Sequence, residues 1–284
     1  MPLFPILLAI LAAPPAHPRE AAPACAIVSS LSGTATRTSH RRTVALRLFD
    51  WLGADTVVRT DADARVVLTL TSGKRYEIGE KADVTVTATV PKAAKGSVLE
   101  LEPLPALPPV PVVDAQARPG ARTGAVRVRG TEWPATLYPD EGAAVLADAV
   151  VLRFDAAAPE IAYRVEIEDE GGRAVHTAET TATVVTVPPH SLQPGASYHW
   201  TVRTLPKLGP ALRAQAEFVT LPAETARQLR AFELGIKAAG DTDSLALLAA
   251  VERGLGRTAE AQLALAEACA RPDASAALRE ACVP

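Results

Sequence analysis

Hydrophobic and polar positions alternate most regularly between Leu48 and Val86. Val57 and Thr60, then Val66, Leu68 and Leu70, recur among polar or charged neighbours such as Arg59, Arg65 and Thr69, the pattern expected of strands with one buried face. Ser72-Gly73 interrupts the run, and Tyr76 and Ile78 resume it, which predicts a hairpin turning at Thr71–Lys74. Gly73 supplies the positive φ that such a turn needs. A second turn at Gly79–Ala82 leads to a strand carrying Val84, Val86 and Ala88. Strands of about five residues are not stable as isolated hairpins, so these must stack into a small β-roll or sandwich.

Downstream the pattern changes three times. Pro103, Pro105, Pro108, Pro109 and Pro111 crowd one short stretch, which reads as a semi-rigid spacer because proline lacks the ladder donor and favours extended backbone. Ser97–Leu101 can still add an edge strand to the preceding domain, and Ala125–Arg129 alternates and is expected to pair with the next one. From Leu137, strand-like runs at Val150–Phe154, Tyr163–Glu168, Ala174–Glu179, Thr183–Val187, Ser197–Thr204 and Ala214–Val219 are separated by turns such as Asp169–Gly172 and Gln193–Gly195. Short strands at this spacing predict a β-sandwich. After Leu221-Pro222 the period becomes helical. Leu229, Phe232, Leu234 and Ile236 lie near one face of a first helix that Gly240 ends. Asp243 or Ser244 is expected to cap a second helix bearing Leu245, Leu248 and Val251, and Thr258 a third bearing Ala261, Leu265 and Ala268.

Charge and cysteine content narrow the picture. The net charge of −3 gives no bulk field for nucleic acid or anionic lipid. It is uneven: residues 26–90 carry nine Lys/Arg against seven Asp/Glu, and residues 135–221 six against eleven. Leu3–Ala13 is an apolar core too short to span a bilayer, and small residues follow it, which fits a secretory leader over residues 1–25. In an exported chain, Cys269 and Cys282 are expected to pair, since two packed short helices can bridge their spacing. Cys25 is left over; Ala22-Pro23-Ala24 before it is a poor lipoprotein box.

Three resemblances sit on these elements. Leu52, Asp55, Val57, Thr60, Ala64, Val66, Leu68, Leu70, Gly73, Ile78, Val84 and Val86, with Val28, Leu31 and Gly33 upstream, resemble the FecR-type β domain over residues 26–90. The family's usual Gly-Asp is here Gly53-Ala54-Asp55, and its Asp-Gly turn is Ser72-Gly73. Leu192-x-Pro194-Gly195-x-x-Tyr198-x-Trp200-x-Val202, with Leu137-x-Pro139 and Leu152-x-Phe154, is similar to fibronectin type III domains over residues 135–221. That likeness implies a tyrosine corner: Tyr198 buried with its hydroxyl bonded to backbone near Leu192–Pro194, and Trp200 and Val202 in the same core. Leu245, Leu248, Ala249, Gly256, Ala261, Leu265, Ala268 and Pro272 resemble one tetratricopeptide repeat of about 34 residues, although Glu252 stands where Tyr is usual. One such unit is expected to pack as a small capped bundle over residues 222–284.

Candidate chemistry is sparse. His17, His40, His176, His190 and His199 show no ligand spacing. His199, between Tyr198 and Trp200, points to the opposite strand face. Glu166, Glu168, Asp169 and Glu170 read as a solvated strand and hairpin rather than a calcium loop, and Asp61 and Asp63 as a turn. Arg37, His40, Arg41 and Arg42 form a basic patch on an expected loop, with no aromatic platform for nucleic acid. No nucleophile-elbow, zinc-helix or phosphate-cradling motif occurs.

The sequence therefore predicts a mainly β, exported, non-catalytic protein: FecR-like β domain (26–90), Pro-rich linker (91–134), fibronectin-like sandwich (135–221) and helical tail (222–284). It calls for no cofactor, no metal and no membrane span. The expected partner is an envelope protein or a cell-wall glycan. A FecR-type regulatory role is the alternative. Glycan binding by the sandwich is another, with Trp133 and Tyr138 as the aromatic candidates outside the predicted core. The residues singled out, Tyr198, Trp200, Gly73, Cys269 and Cys282, have structural roles.

Overall fold

The computed structural model describes residues 24–39, 41–110, 133–134, 136–206 and 209–282. The leader core, His17, His40 and the 125–129 segment lie outside these residues. The first domain holds ten strands: β1 (Ala24–Ser32), β2 (Ala35–Ser39), β3 (Arg42–Ala45), β4 (Trp51–Gly53), β5 (Val57–Thr60), β6 (Arg65–Leu70), β7 (Arg75–Ile78), β8 (Asp83–Thr85), β9 (Lys92–Lys95) and β10 (Val98–Leu101). They form two five-stranded sheets, ordered β10-β7-β6-β1-β4 and β3-β2-β5-β8-β9. Strands β9 and β10 belong to these sheets, so the domain continues past Val90 to Leu101. The segment holding Arg37 and Arg42 is the β2–β3 hairpin rather than a loop. It is polar on both sides because β3 is an exposed edge, where no apolar alternation is required.

Alternation in β6 gives way to full burial: Val67 and Thr69, on the face expected to be wet, are buried with Val66, Leu68 and Leu70. The cause is a second cover. One face of the sheet packs on its partner sheet through Val28, Leu52, Leu68, Tyr76 and Val84. The other face presents Ile27 to the helices. Thr69 donates to Ser29 Oγ at 2.8 Å, and Ser29 donates to the Val67 carbonyl at 3.3 Å, so the buried hydroxyls are satisfied.

The second domain begins with β11 (Leu137–Tyr138), β12 (Ala143–Val145), β13 (Val151–Phe154), β14 (Ala162–Asp169), β15 (Ala174–Thr180), β16 (Val184–Thr186), β17 (Ser197–Leu205) and β18 (Arg213–Thr220). A three-stranded sheet β11-β13-β16 faces a five-stranded sheet β12-β18-β17-β14-β15. The β12–β18 pair is parallel, whereas every other pairing in these two sheets is antiparallel. The alternating burial of β14 and β17 sends Tyr163, Val165, Ile167, Tyr198, Trp200 and Val202 into one core with Leu152 and Phe218. The chain is mainly β, and this domain has a fibronectin type III-like sandwich arrangement.

Four helices follow: α1 (Ala223–Ala239), α2 (Thr242–Gly254), α3 (Thr258–Cys269) and α4 (Ala276–Ala281). Leu229, Phe232 and Ile236 are buried on α1, but Leu234 is 69% exposed, because its position falls off the stripe set by the other three. Asp241, rather than Asp243 or Ser244, caps α2 by accepting from Ser244 N at 2.8 Å. Arg257 holds the cap position of α3, and no side chain caps that helix.

The helices are not a bundle apart. Leu229, Phe232, Ile236, Leu247 and Val251 share one core with Ile27 of the first domain, Leu107 of the Pro-rich segment, and Ala144 and Leu221 of the second. Each fully buried side chain of this kind contributes about 1.5–3 kcal/mol. The Pro-rich segment, as far as residue 110, is a strap against this core rather than a spacer. Leu104 N and Leu107 N donate to Gly73 O and Thr71 O at 3.0 and 2.9 Å. Pro105 lies on Gly235, where an added Cβ would come within 2.2 Å of its ring.

Candidate functional site

The five residues singled out from sequence fall as follows. Tyr198 is buried, and its hydroxyl accepts from Gln193 N at 2.7 Å. Trp200 is fully buried and donates from Nε1 to the Pro139 carbonyl at 2.9 Å. Gly73 has φ 87°, and an added Cβ would stand 2.1 Å from Leu104 O. The residue therefore both makes the turn and lets the strap cross it. Cys269 and Cys282 form a disulfide with a Cα separation of 6.3 Å, which ties the end of α4 to α3. Cys25 lies in β1, buried in the first core, where burial pushes its thiol pKa up. That placement leaves it unavailable as a lipid attachment point.

A charged network that the sequence left unassigned bridges the helices and the second sandwich. Arg257, 7% exposed, donates from Nε to Glu252, 3% exposed. Its Nη2 lies 3.5 Å from Glu260. The Tyr138 hydroxyl donates to Glu260, and Arg153 sits 5.8 Å from the centre of the Tyr138 ring. Glu233 of α1 lies close enough to Glu252 to act on its charge. Two carboxylates, Glu252 and Glu260, thus meet one guanidinium, with a third nearby. Burial, with Glu233 adding to it, pushes Glu252 up to about 7 despite the opposing pull of Arg257. Burial, and then Glu260, raise Tyr138 far above the usual phenol range. Such a carboxyl in a cleft would be a candidate acid. Here Glu252 is sealed from solvent, and the network joins the helices to the second sandwich. Backbone reinforces the join: Ala144 N of β12 donates to Gly256 O in the α2–α3 turn at 3.1 Å.

The other end of α2 meets the first domain. Burial raises the pKa of Asp243, and Ser30 and Arg75 of the first domain act against that rise. Thr242 donates to Asp273 at 2.6 Å.

The aromatic candidates for glycan contact are engaged internally. Trp133 stacks on Tyr163 at 6.1 Å and donates from Nε1 to Asp155 O at 2.8 Å, so it belongs to the margin of the core. Tyr138 is held in the charged network. Asp169 accepts from Gly171 N and Arg173 N, both at 3.0 Å, closing its own hairpin. Among the described residues no three His, Cys, Asp or Glu side chains converge as a metal site. No helix among them is long and apolar enough to cross a membrane.

What remains exposed and patterned is the outward face of the five-stranded sheet. Its register sets three rows across the strands. Glu179, Arg164, Arg203 and Arg213 form one. Thr177, Glu166, Thr201 and Gln215 form the next. Glu168, His199 and Glu217 form the third, extended by Glu141, whose carboxylate accepts from Glu217 N at 3.1 Å. Arg164 pairs with Glu179, while Arg203 and Arg213 have no carboxylate partner among the described residues. Rows of like charge directly opposite one another are unfavourable in an isolated sheet. Sequence reasoning placed Glu166, Glu168 and His199 on strand faces; the arginine row needed the register of three strands distant in sequence.

No protein-family model and no curated protein matches the chain. Among solved structures, CopC from Methylosinus trichosporium OB3b is 24% identical over 32% of this chain and 95% of its own, with a TM-score of 0.27. The FN1–FN3 domains of chicken CNTN1 are 11% identical over 72% of this chain and 64% of theirs, with a TM-score of 0.24. PorZ, a surface component of the type-IX secretion system of Porphyromonas gingivalis, is 11% identical over 64% of this chain and 24% of its own, with a TM-score of 0.21. At these scores the likenesses carry no argument about this chain.

Proposed function

We propose that the chain is a non-catalytic, exported envelope protein that acts as a rigid binding or scaffold module, with a FecR-like first domain. The observation that carries the reading is the division of its polar side chains. Among the buried ones, Glu252, Arg257, Ser29 and Thr69 join one element to another. Exposed ones form three ordered rows across the outward face of the five-stranded sheet of the second domain. A disulfide supports an oxidising compartment. Cys25 is buried and its carbonyl accepts from Thr71 N at 2.9 Å, which supports a processing site ahead of β1.

Mass spectrometry of the native protein tests export: a mature start between His17 and Ala24 is expected, and an intact Met1 on cytoplasmic material contradicts it. A pull-down from the native envelope tests binding. The wild-type chain is expected to retain a partner that the Arg203→Glu variant loses; equal retention by both contradicts a role for this face.

A further inference from the structure

We propose that the outward face of the five-stranded sheet pairs with the same face of a second copy of the chain, about a two-fold axis running along the row Thr177–Glu166–Thr201–Gln215. The inference rests on the reading of this face as a binding surface and names its partner.

The argument is the order of the rows. The arginine row and the glutamate row flank the middle row at equal distance, two residues away on each strand. At ~3.4 Å per residue that is about 7 Å to either side. Rotation about the middle row brings each arginine row onto the partner's acidic row. On β18, Arg213 meets Glu217 of the second copy; on β14, Arg164 meets Glu168; on β17, Arg203 meets His199 and lies between both glutamates. Rotation about an axis along the strands instead sets arginines on arginines, so the charges select one of the two axes. The pattern is self-complementary, as an isologous interface requires. The side chains are available: His199 is 57% exposed and Glu217 43%, and Arg203, Arg213 and Gln215 are exposed. One contact opposes the arrangement, Glu166 facing its own copy near the axis.

Four strands ~4.8 Å apart and about seven residues along each give roughly 450 Å² per copy, so about 900 Å² in total, which falls in the size range of weak, transient interfaces. The dimer is therefore weak and salt-sensitive, since the Debye length shrinks from about 10 Å at 0.1 M salt to about 3 Å at 1 M.

Sedimentation velocity of the full mature chain, across a concentration series at low and high salt, is the test. A dimer at low salt that dissociates at high salt is expected. Arg213→Glu and Glu217→Arg should each weaken it about tenfold or more, because each sets like charges across the axis. The double variant R213E/E217R should recover wild-type association, since the exchanged charges meet again. Glu166→Gln should tighten it. A chain that stays monomeric, a dimer indifferent to the single reversals, or a double variant as weak as the singles overturns the proposal. If the chain is monomeric yet retains an envelope partner that Arg203→Glu loses, self-association alone fails; if it retains none, the binding reading fails with it.

Discussion

Replacing Arg257 by methionine removes the only cation bonded to Glu252 among the described residues while keeping much of the buried volume. Glu252 is 3% exposed with Glu233 acting on it, so the variant leaves neighbouring carboxylates without the Arg257 counter-charge. Breaking a buried pair from one side costs about 3–5 kcal/mol. The cost should depend on pH. Glu252 is raised from an ordinary value near 4.5 to about 7, so the folded state holds a proton that the unfolded chain has released between those values. A carboxyl shifted upward favours folding most below the lower value, and its contribution falls as pH rises through the upper one. That loss is roughly 3 kcal/mol at 1.36 kcal/mol per unit. Without Arg257 the carboxyl moves higher still, so at pH 5 it is neutral in the variant. There only lost hydrogen bonds remain, about 1–2 kcal/mol. Urea unfolding followed by helical circular dichroism at pH 5 and pH 8 measures both. A penalty under about 1 kcal/mol at pH 8, or one that does not shrink at pH 5, refutes the reasoning. The double change of Glu252→Leu with Arg257→Met should recover most of the loss, because no buried charge is then left unpaired.

Tyr198→Phe should cost about 1–3 kcal/mol by orphaning Gln193 N, and Trp200→Ala roughly 3–5 kcal/mol through the cavity it opens; urea midpoints read both. Gly73→Ala should cost more than about 1 kcal/mol, since alanine fits neither φ 87° nor the 2.1 Å approach of Leu104 O. It should also make the strap at residues 103–110 the first site of limited proteolysis. Cys269→Ser should cost about 3 kcal/mol, from loop closure over a separation of 13 residues. Reductant should produce the same loss in the wild type and none in the variant.

Local chemistry was legible in the sequence. The strands of the second sandwich, the Tyr198 corner and the Gly73 turn each depend on residues close in the chain, where alternation and turn preference act directly. What the sequence concealed depends on distant partners. The burial of Val67 and Thr69 follows from helices and a strap that arrive later in the chain. Pro105 marks extended backbone, but nothing local says that Gly235 on α1 will receive its ring. Glu252 carried the one available signal, a glutamate among the apolar positions of α2. Its partner Arg257 is five residues on, and only the fold seals the two from water. The paired arginine and glutamate rows were hidden for the same reason, since strand register is set by pairing across the sheet.

The central claim is that this chain works by presenting the outward face of its five-stranded sheet outside the cytoplasm. Photo-crosslinking in the native cell tests it most directly, with a photoreactive residue at Thr201 on that face and, as a control, at Thr36 on the outer sheet of the first domain. The account predicts adducts from position 201 to the chain itself or to another envelope component, lost in the Arg213→Glu background, and none from position 36. Adducts to cytoplasmic proteins, or adducts from position 36 with none from position 201, would contradict it.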